Sequence, residues 1–332
     1  MICMSASSPG AIRGYADSVQ LAAGESPVAQ KPSAEETALI RHRARLLALA
    51  KRLRNSAIAR LPLLQSSLHA LARRGLVPRF VWMHLQPIGR VKLRAPTGET
   101  FSYLSDSSDE FAHNVCWTDF SAWESETAAL VCKIAKHTRV FVDVGAHTGI
   151  YTLLVAAVNP RAKVWAFEPN PAVYRRLSRN VAANDLTPRA IIRETALSDR
   201  DGHALFFVPP QDASAGGITE CDDSRAFEVE TARGDALLVG EPVDLIKIDV
   251  EGHEALVLAG LARVLEEQRP FIIFEALDDV ALANIRETVT PLGYSRCFFI
   301  SETGLQAAHV NHVRKRGQVN FLLVHDSCEA PA

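Results

Sequence analysis

Short apolar runs alternate with segments of helical periodicity along most of the chain. The apolar runs are rich in Val, Ile and Phe, as strands buried on both faces are, and the intervening segments carry apolar residues every three to four positions. This alternation predicts an α/β domain built on a mostly parallel sheet. The predicted strands are 140–144, 163–167, 190–197, 243–249, 271–275, 294–300 and 320–324, and the predicted helices are 123–136, 150–158, 171–184, 254–265 and 280–289.

Two regions depart from this alternation. Residues 204–208 and 227–231 alternate like two strands of a small antiparallel insertion, with a loop rich in small residues between them. Earlier, residues 79–104 contain three strand-like runs with a turn at Pro96 to Gly98, which predicts a hairpin. Ser121 followed by Glu124 has the spacing of a capping box and predicts a helix start.

The first third of the chain has a different composition. Residues 1–33 are rich in Ser, Ala, Gly and Pro and are expected to be disordered. Residues 34–78 form a basic segment with an apolar stripe at helical spacing, which Pro62 should end or kink. Packing on the main domain or a partner helix, attachment to a membrane surface and RNA binding all remain open for it. The predicted divisions are a tail (1–33), this basic helical segment (34–78), a β-rich lead-in (79–118) and the main domain (119–326).

Composition narrows the class of protein. The 332 residues are 48% hydrophobic and 22% charged, with a net charge of −2, which fits a globular chain without an overall footprint for nucleic acid. No apolar run approaches the roughly 20 residues that cross a membrane, and no secretory signal is recognised. The six cysteines are scattered, which argues against a zinc site or a disulfide framework. A cytoplasmic protein is expected.

A glycine turn follows the strand 140–144. Gly145, His147, Thr148 and Gly149 form this turn, and its free backbone N–H groups at a helix start can receive a negatively charged group. Glu168 lies 23 positions after Gly145, at the end of the next strand. A carboxylate at that place can accept hydrogen bonds from the two hydroxyls of a ribose.

The turn also indicates which nucleoside would bind. It departs from the dinucleotide pattern G-x-G-x-x-G, because His147 and Ile150 stand where the second and third glycines would be. With Asp143 before the turn, this favours S-adenosylmethionine, which has a ribose but no phosphate. Leu197 and Asp199, at the end of the third strand, are the candidates for contact with the adenine. A nucleotide-dependent oxidoreductase and a binding module without chemistry are the alternatives.

The exit of the strand 243–249 carries the candidates for chemistry. Asp249, Glu251 and His253 belong near the cofactor because ligands of open parallel sheets lie beyond the carboxyl ends of the strands. His253 is predicted to accept a proton from a hydroxyl, with Asp249 and Glu251 orienting it or the substrate. His253 as a mere helix cap is one alternative. A divalent cation held by Asp249, Glu251 and Glu275 is the other.

Four motifs in this order resemble those of the FkbM family of S-adenosylmethionine-dependent methyltransferases. They are VFVDVGAHTG, VWAFEPNP, ALSD and IKIDVEGHE, followed by FIIFEA, and the resemblance spans roughly residues 119–324. It implies a Rossmann-like sheet of seven strands with an antiparallel last strand, and O-methylation of hydroxyls on polyketides, sugars or glycans. It places the cofactor against Asp143, Gly145, Gly149 and Glu168. The acceptor would then lie near the acidic and histidine residues after the fourth strand.

Overall fold

The computed structural model describes residues 62–82, 85, 87–106, 112–121, 123–208, 216–218, 225–308 and 319–331. The predictions for the tail, for most of the basic segment and for the loop inside the insertion therefore lie outside the described residues. The chain divides into two units, Met1–Leu49 and Ala50–Ala332, and every described residue belongs to the second.

The second unit is organised around an eight-stranded sheet. Five neighbouring strands, β5, β4, β3, β9 and β10, are parallel, β13 runs antiparallel between β10 and β11, and β12 pairs with β11 at the edge. The α/β class and the antiparallel last strand are confirmed, whereas the count of seven strands is wrong by this extra edge strand. The strands are β3 (Val140–Val144), β4 (Lys163–Phe167), β5 (Ala190–Arg193), β9 (Val243–Ile248), β10 (Phe271–Glu275), β11 (Arg296–Ser301), β12 (Gly304–Ala307) and β13 (Asn320–Val324).

Helices cover both faces of this sheet. Alternate residues of the central strands enter two apolar clusters, with Phe141 and Leu245 in one and Val142 and Ile246 in the other. None of the helices in the described ranges combines the length and apolar character needed to cross a membrane. The helices are α1 (Pro62–Arg73), α2 (Arg79–Trp82), α3 (Ala112–Thr118), α4 (Ser125–Ala135), α5 (Ile150–Val158), α6 (Pro171–Ala182), α7 (Gly234–Leu237), α8 (Glu254–Gly260), α9 (Ala262–Gln268) and α10 (Asp279–Val289).

The insertion is a separate three-stranded sheet. Strand β7 (Gly202–Val208) pairs antiparallel with β8 (Arg225–Ala232), as the alternation predicts. The prediction of one continuous third strand is wrong, because that strand divides after Arg193. Its last two residues form β6 (Ala196–Leu197), which pairs with β8 instead of continuing the main sheet.

The lead-in before the sheet is only partly β. Strands β1 (Gly89–Arg94) and β2 (Thr100–Ser105) form the predicted hairpin. The run beginning at Phe80 is wrong as a strand, since α2 is a single helical turn that buries Trp82 beside Trp117 and Ala72. This segment therefore buries Trp82 in a local apolar cluster instead of pairing with a strand of a sheet.

The predicted capping box is also wrong. Helix α4 starts at Ser125, and Glu124 occupies the N-cap position with a left-handed backbone (φ 44°, ψ 39°) and no capping bond. The Glu124 carboxylate instead accepts a hydrogen bond from the hydroxyl of Tyr151 at 2.5 Å. Glu124 therefore binds Tyr151, which is distant in the sequence, instead of capping its own helix.

Candidate active site

A cavity of about 270 Å³ opens at the carboxyl ends of the parallel strands. Its walls come from the turn after β3, the end of β4, the insertion and the exit of β9. Eight of the eleven predicted site residues line this cavity, although they come from four separate parts of the chain. They are Asp143, Gly145, His147, Glu168, Leu197, Asp249, Glu251 and His253.

The other three predicted residues lie away from the cavity surface. Thr148 is fully buried beneath the turn, and Gly149 starts α5 with a left-handed backbone. Asp199 forms an ion pair with Arg200 and accepts a hydrogen bond from the hydroxyl of Ser198 at 3.2 Å. The geometry therefore gives these three residues supporting positions around the pocket.

The glycine turn is fixed by close packing against the exit of β9. A Cβ atom at Gly145 would lie 1.9 Å from the carbonyl oxygen of Asp249, so only glycine fits. His147 also has a left-handed backbone, with φ 52°. The turn and the exit of β9 thus form one continuous wall of the cavity.

Replacing Gly145 with alanine is expected to destabilise the fold by about 3 kcal/mol more than replacing Gly240, because the new methyl group meets backbone. The two glycines have nearly equal φ values of +76° and +75°, but a Cβ at Gly240 meets nothing within 4 Å. Gly240→Ala therefore reports the left-handed strain alone, about 1–2 kcal/mol. Urea unfolding of both variants measures the difference, and equal losses would contradict the steric argument.

Glu168 is a buried carboxylate that organises the same turn. Its Oε2 accepts the backbone N–H of His147 and its Oε1 accepts the backbone N–H of Asn170, both at 2.9 Å. Each carboxylate oxygen keeps a further lone pair for a ligand hydroxyl. Burial raises the pKa of Glu168 to about 7 despite these two hydrogen bonds. The group is therefore near half-ionised at neutral pH and gains from any ligand that donates to it.

Asp143 lies at the floor of the cavity. It is buried and accepts a hydrogen bond from the Thr152 hydroxyl at 2.7 Å, while burial raises its pKa to about 6. In the sheet it pairs directly with Lys247 of β9. The side chains of Asp143 and Lys247 therefore project from adjacent positions of neighbouring strands, beneath the turn.

His253 precedes α8 and faces the cavity without capping the helix through its side chain. Its Nε2 lies 3.0 Å from the Ser198 hydroxyl, and burial lowers its pKa. The imidazole is consequently neutral at pH 7, as a proton acceptor must be.

Several residues around the cavity are not among the predicted site residues. Lys247, Tyr151 and Trp123 all line it, and Glu124 holds the Tyr151 hydroxyl. Trp123 and Tyr151 precede and follow β3 in the chain, so only the folded arrangement brings them together. Lys247 could have been identified from the sequence as a candidate site residue, because a lysine within an otherwise apolar buried strand is unusual.

Hydrogen bonds from the lead-in hairpin and from α6 stabilise the glycine turn. The Tyr103 hydroxyl donates to the Thr148 hydroxyl at 2.7 Å. Asn180 of α6 accepts the backbone N–H of Leu104 at 2.7 Å and donates to the carbonyl of Thr148 at 2.8 Å. Three elements therefore share hydrogen bonds beneath the cavity, which limits how far the turn can move.

The cavity is negatively charged. Its lining residues include the carboxyl groups of Asp143, Glu168, Asp249 and Glu251 against the single ammonium of Lys247. Such a surface favours a cationic ligand and opposes a pyrophosphate.

The alternative of a divalent cation at Asp249, Glu251 and Glu275 gains no support from this arrangement. Within the described ranges, no three His, Cys, Asp or Glu side chains are grouped so that they could hold a metal ion. Asp249 faces the ammonium of Lys247 instead, with 2.8 Å between Nζ and Oδ2.

Comparison with known proteins gives matches to methyltransferases. The family model of the methyltransferase FkbM domain matches residues 143–295. The hexuronic acid methyltransferase AglP of Haloferax volcanii is 31% identical over 156 residues, which cover 46% of this chain and 62% of AglP. The 2-O-methyltransferase NoeI of Sinorhizobium fredii is 29% identical over 168 residues, which cover 45% of this chain and 68% of NoeI.

Among solved structures, the methyltransferase FkbM of Methylobacillus flagellatus matches at 19% identity with a TM-score of 0.38. The match covers 56% of this chain and 43% of that one. The chain spans less than two thirds of the length of AglP.

Proposed function

We propose that this protein transfers a methyl group from S-adenosylmethionine to a hydroxyl of a sugar, a glycan or a polyketide-like metabolite, because the family model of the methyltransferase FkbM domain matches residues 143–295. The name of AglP, a hexuronic acid methyltransferase, favours a sugar acceptor, and the name of NoeI, a 2-O-methyltransferase, favours transfer to oxygen. The observation that carries the proposal is the acidic cavity, with Glu168 on one side and His253 on the other.

The lining residues fit S-adenosylmethionine. Glu168 would accept hydrogen bonds from the ribose hydroxyls, and Leu197 would contact the adenine. Asp143 and its acidic neighbours suit the positive charges of the methionine part, whereas a dinucleotide would bring two phosphates against them. When bound, S-adenosylmethionine supplies an electrophilic methyl group on its sulfonium.

The opposite side of the cavity would receive the acceptor. Asp249 and Glu251 offer carboxylate oxygens that can accept hydrogen bonds from hydroxyl groups and so orient the acceptor. His253 would take the hydroxyl proton as the new bond forms, because its lowered pKa leaves the imidazole unprotonated at neutral pH.

Two measurements test this function. Calorimetric titration should show binding of S-adenosylhomocysteine and no heat with NAD⁺. Incubation with S-adenosylmethionine carrying a tritiated methyl group should then label at least one member of a panel of methyl glycosides that includes glucuronic acid, glucose and fucose. Failure to bind S-adenosylhomocysteine would overturn the cofactor assignment. Binding without transfer to any hydroxyl acceptor, including extracted glycans, would favour a module without catalysis.

Affinity for S-adenosylhomocysteine is expected to rise with pH through about 7, the pKa of Glu168 in the unliganded protein. The ribose hydroxyls donate to the ionised carboxylate, so below that pH binding must first release a proton. Each unit of pH below 7 should then cost up to about tenfold in affinity. Titrations from pH 5.5 to 8.5 measure this slope, and Glu168→Gln should remove it. A slope that persists in that variant would assign the proton to another group.

The raised pKa of Glu168 has the opposite effect on the stability of the unliganded fold, which falls as the pH rises. The raised pKa means that folded Glu168 keeps a proton which the unfolded chain releases. Its contribution to stability is therefore greatest below its ordinary pKa of 4.5 and is lost as the pH rises to about 7.

A further inference from the structure

A row of polar side chains crosses one face of the main sheet beneath α4 and α5. In the strand pairing, Asp143 of β3 lies beside Lys247 of β9, and Glu275 of β10 lies beside Asn320 of β13. Asp249 follows Lys247 by two positions and therefore points to the same face. The residues between them, such as Ile248, enter the apolar cluster on the other face.

Lys247 occupies the centre of this row. Its side chain is 6% exposed, and Nζ lies 2.8 Å from Asp249 Oδ2. The same ammonium lies 4.7 Å from the centre of the Tyr151 ring, as in a cation–π contact. These two contacts fix the lysine from opposite sides.

The Tyr151 side chain is in turn held by Glu124, which lies outside the row of polar residues on the sheet. Its hydroxyl donates to the Glu124 carboxylate at 2.5 Å. Glu124 adopts a left-handed backbone, which is uncommon for a residue other than glycine and occurs often at functional sites. The order of contacts from α4 to the cavity is therefore Glu124, Tyr151, Lys247 and Asp249.

Charge explains why the lysine stays protonated here. Burial lowers the pKa of Lys247, but the carboxylates of Asp249, Glu124 and Asp143 outweigh burial and hold the pKa above its ordinary value. Lys247 therefore cannot serve as a base. One of the three N–H donors of its ammonium is already used for Asp249.

Asp249 is the member of the row that reaches the acceptor side of the cavity. Its side chain is 27% exposed, compared with 6% for Lys247. Glu275 and Asp249 are joined by a side-chain hydrogen bond, and burial together with Asp249 raises the pKa of Glu275. For Asp249, the ammonium of Lys247 outweighs burial and lowers the pKa. Glu275 is therefore the donor in that bond. Further titratable neighbours that interact with this row are His147, Glu168, Glu251 and Glu254.

We propose that Lys247 is a positioning residue, which holds the Asp249 carboxylate in the orientation that receives the acceptor hydroxyl, while Tyr151 and Glu124 keep the ammonium in place. This inference rests on the proposed function, because it assigns Asp249 to the acceptor. It predicts that Lys247 affects turnover through Asp249 and leaves the cofactor side of the cavity unchanged.

A double-mutant cycle tests this coupling. The four proteins are wild type, Lys247→Met, Asp249→Asn and the double variant, assayed with a methyl glycoside that wild type methylates. Lys247→Met is expected to lower kcat about 100-fold, with a change below about threefold in the Kd of S-adenosylhomocysteine. The double variant should be no slower than Asp249→Asn alone, because residues that act as one unit are not additive. Lys247→Arg, which keeps the charge, should recover about tenfold.

Lys163→Met is the matched control. Lys163 forms an ion pair with Glu241 and begins β4, at the end of the sheet away from the cavity, so its loss should leave kcat unchanged. Should Lys247→Met not fold, Tyr151→Phe keeps the ring and removes only the bond to Glu124. That variant should lower kcat about fivefold without weakening S-adenosylhomocysteine.

Three results would overturn the inference. These are independent, multiplying losses in the double variant, a loss of cofactor affinity as large as the loss of kcat in Lys247→Met, and an unchanged kcat in Tyr151→Phe. Should wild type methylate no acceptor, the proposed function fails, yet the coupling is still measured by the melting temperatures of the four proteins. Strictly additive shifts in melting temperature would then overturn the coupling itself.

Discussion

Glu168→Ala is expected to weaken binding of S-adenosylhomocysteine at least about 100-fold, the largest effect on the cofactor that a single side chain should have. Two hydrogen bonds from ribose hydroxyls to a charged acceptor would be lost, each worth about 1.5–3 kcal/mol, and 1.4 kcal/mol is a factor of ten in Kd. The backbone N–H groups of His147 and Asn170 would also lose their acceptor. Calorimetric titration at pH 8 measures the change, where Glu168 is ionised in the wild type.

The matched control for this variant is Glu194→Ala. Glu194 directly follows β5, the strand next to β4, but its side chain is exposed. Its removal should leave affinity within about twofold of wild type. Unweakened binding in Glu168→Ala would show that the nucleoside does not lie against β4, and the placement of the cofactor would be wrong.

The strands of the parallel part of the sheet could be predicted because they are largely buried on both faces. Strands β3, β4 and β10 are each short and apolar except for one charged residue, Asp143, Lys163 and Glu275 respectively. Strand β12 was missed because Gly304–Ala307 lies at the exposed edge of the sheet and has no apolar pattern. The third strand was overextended because Glu194 and Thr195 interrupt the main sheet without changing the overall apolar character of the run.

Much of the candidate site followed from one rule of parallel sheets. Gly145, Glu168 and Asp249 each follow or end a buried strand, so their convergence at one edge is a property of the topology. The side of the site that includes Glu124 and Tyr151 does not follow from that rule, because Tyr151 lies in helix α5 and Glu124 is the N-cap of helix α4. Ser121 and Glu124 even match a local capping pattern, which the stronger tertiary hydrogen bond to Tyr151 overrides.

The division of the cavity has a chemical consequence. The turn after β3 and the end of β4, with Glu168, face the proposed cofactor, whereas the exit of β9 faces the proposed acceptor. Gly145 packs directly on Asp249, so the two halves are in van der Waals contact. Substitutions at the exit of β9 can therefore reduce the rate of transfer while leaving cofactor affinity intact, provided that the backbone of this exit is kept.

His253→Ala is expected to be the clearest case, with a fall in kcat of about 100- to 1,000-fold and a change below about threefold in the Kd of S-adenosylhomocysteine. General base catalysis contributes about 10²–10⁴-fold, and the buried, neutral imidazole is the proposed proton acceptor. Single-turnover transfer of a tritiated methyl group to the acceptor found in the panel measures the rate, after binding has been confirmed by calorimetry.

Two controls separate the base from its surroundings. His203→Ala removes an exposed imidazole from β7 and should leave the rate unchanged. Ser198→Ala removes only the hydroxyl that lies 3.0 Å from His253 Nε2, and should lower the rate about tenfold or less because the base itself remains.

A chelator should have no effect if the imidazole alone accepts the proton, whereas loss of activity in chelator would point to a metal ion. Wild-type turnover in His253→Ala would exclude this residue and would leave Asp249 or Glu251 as the group that takes the proton.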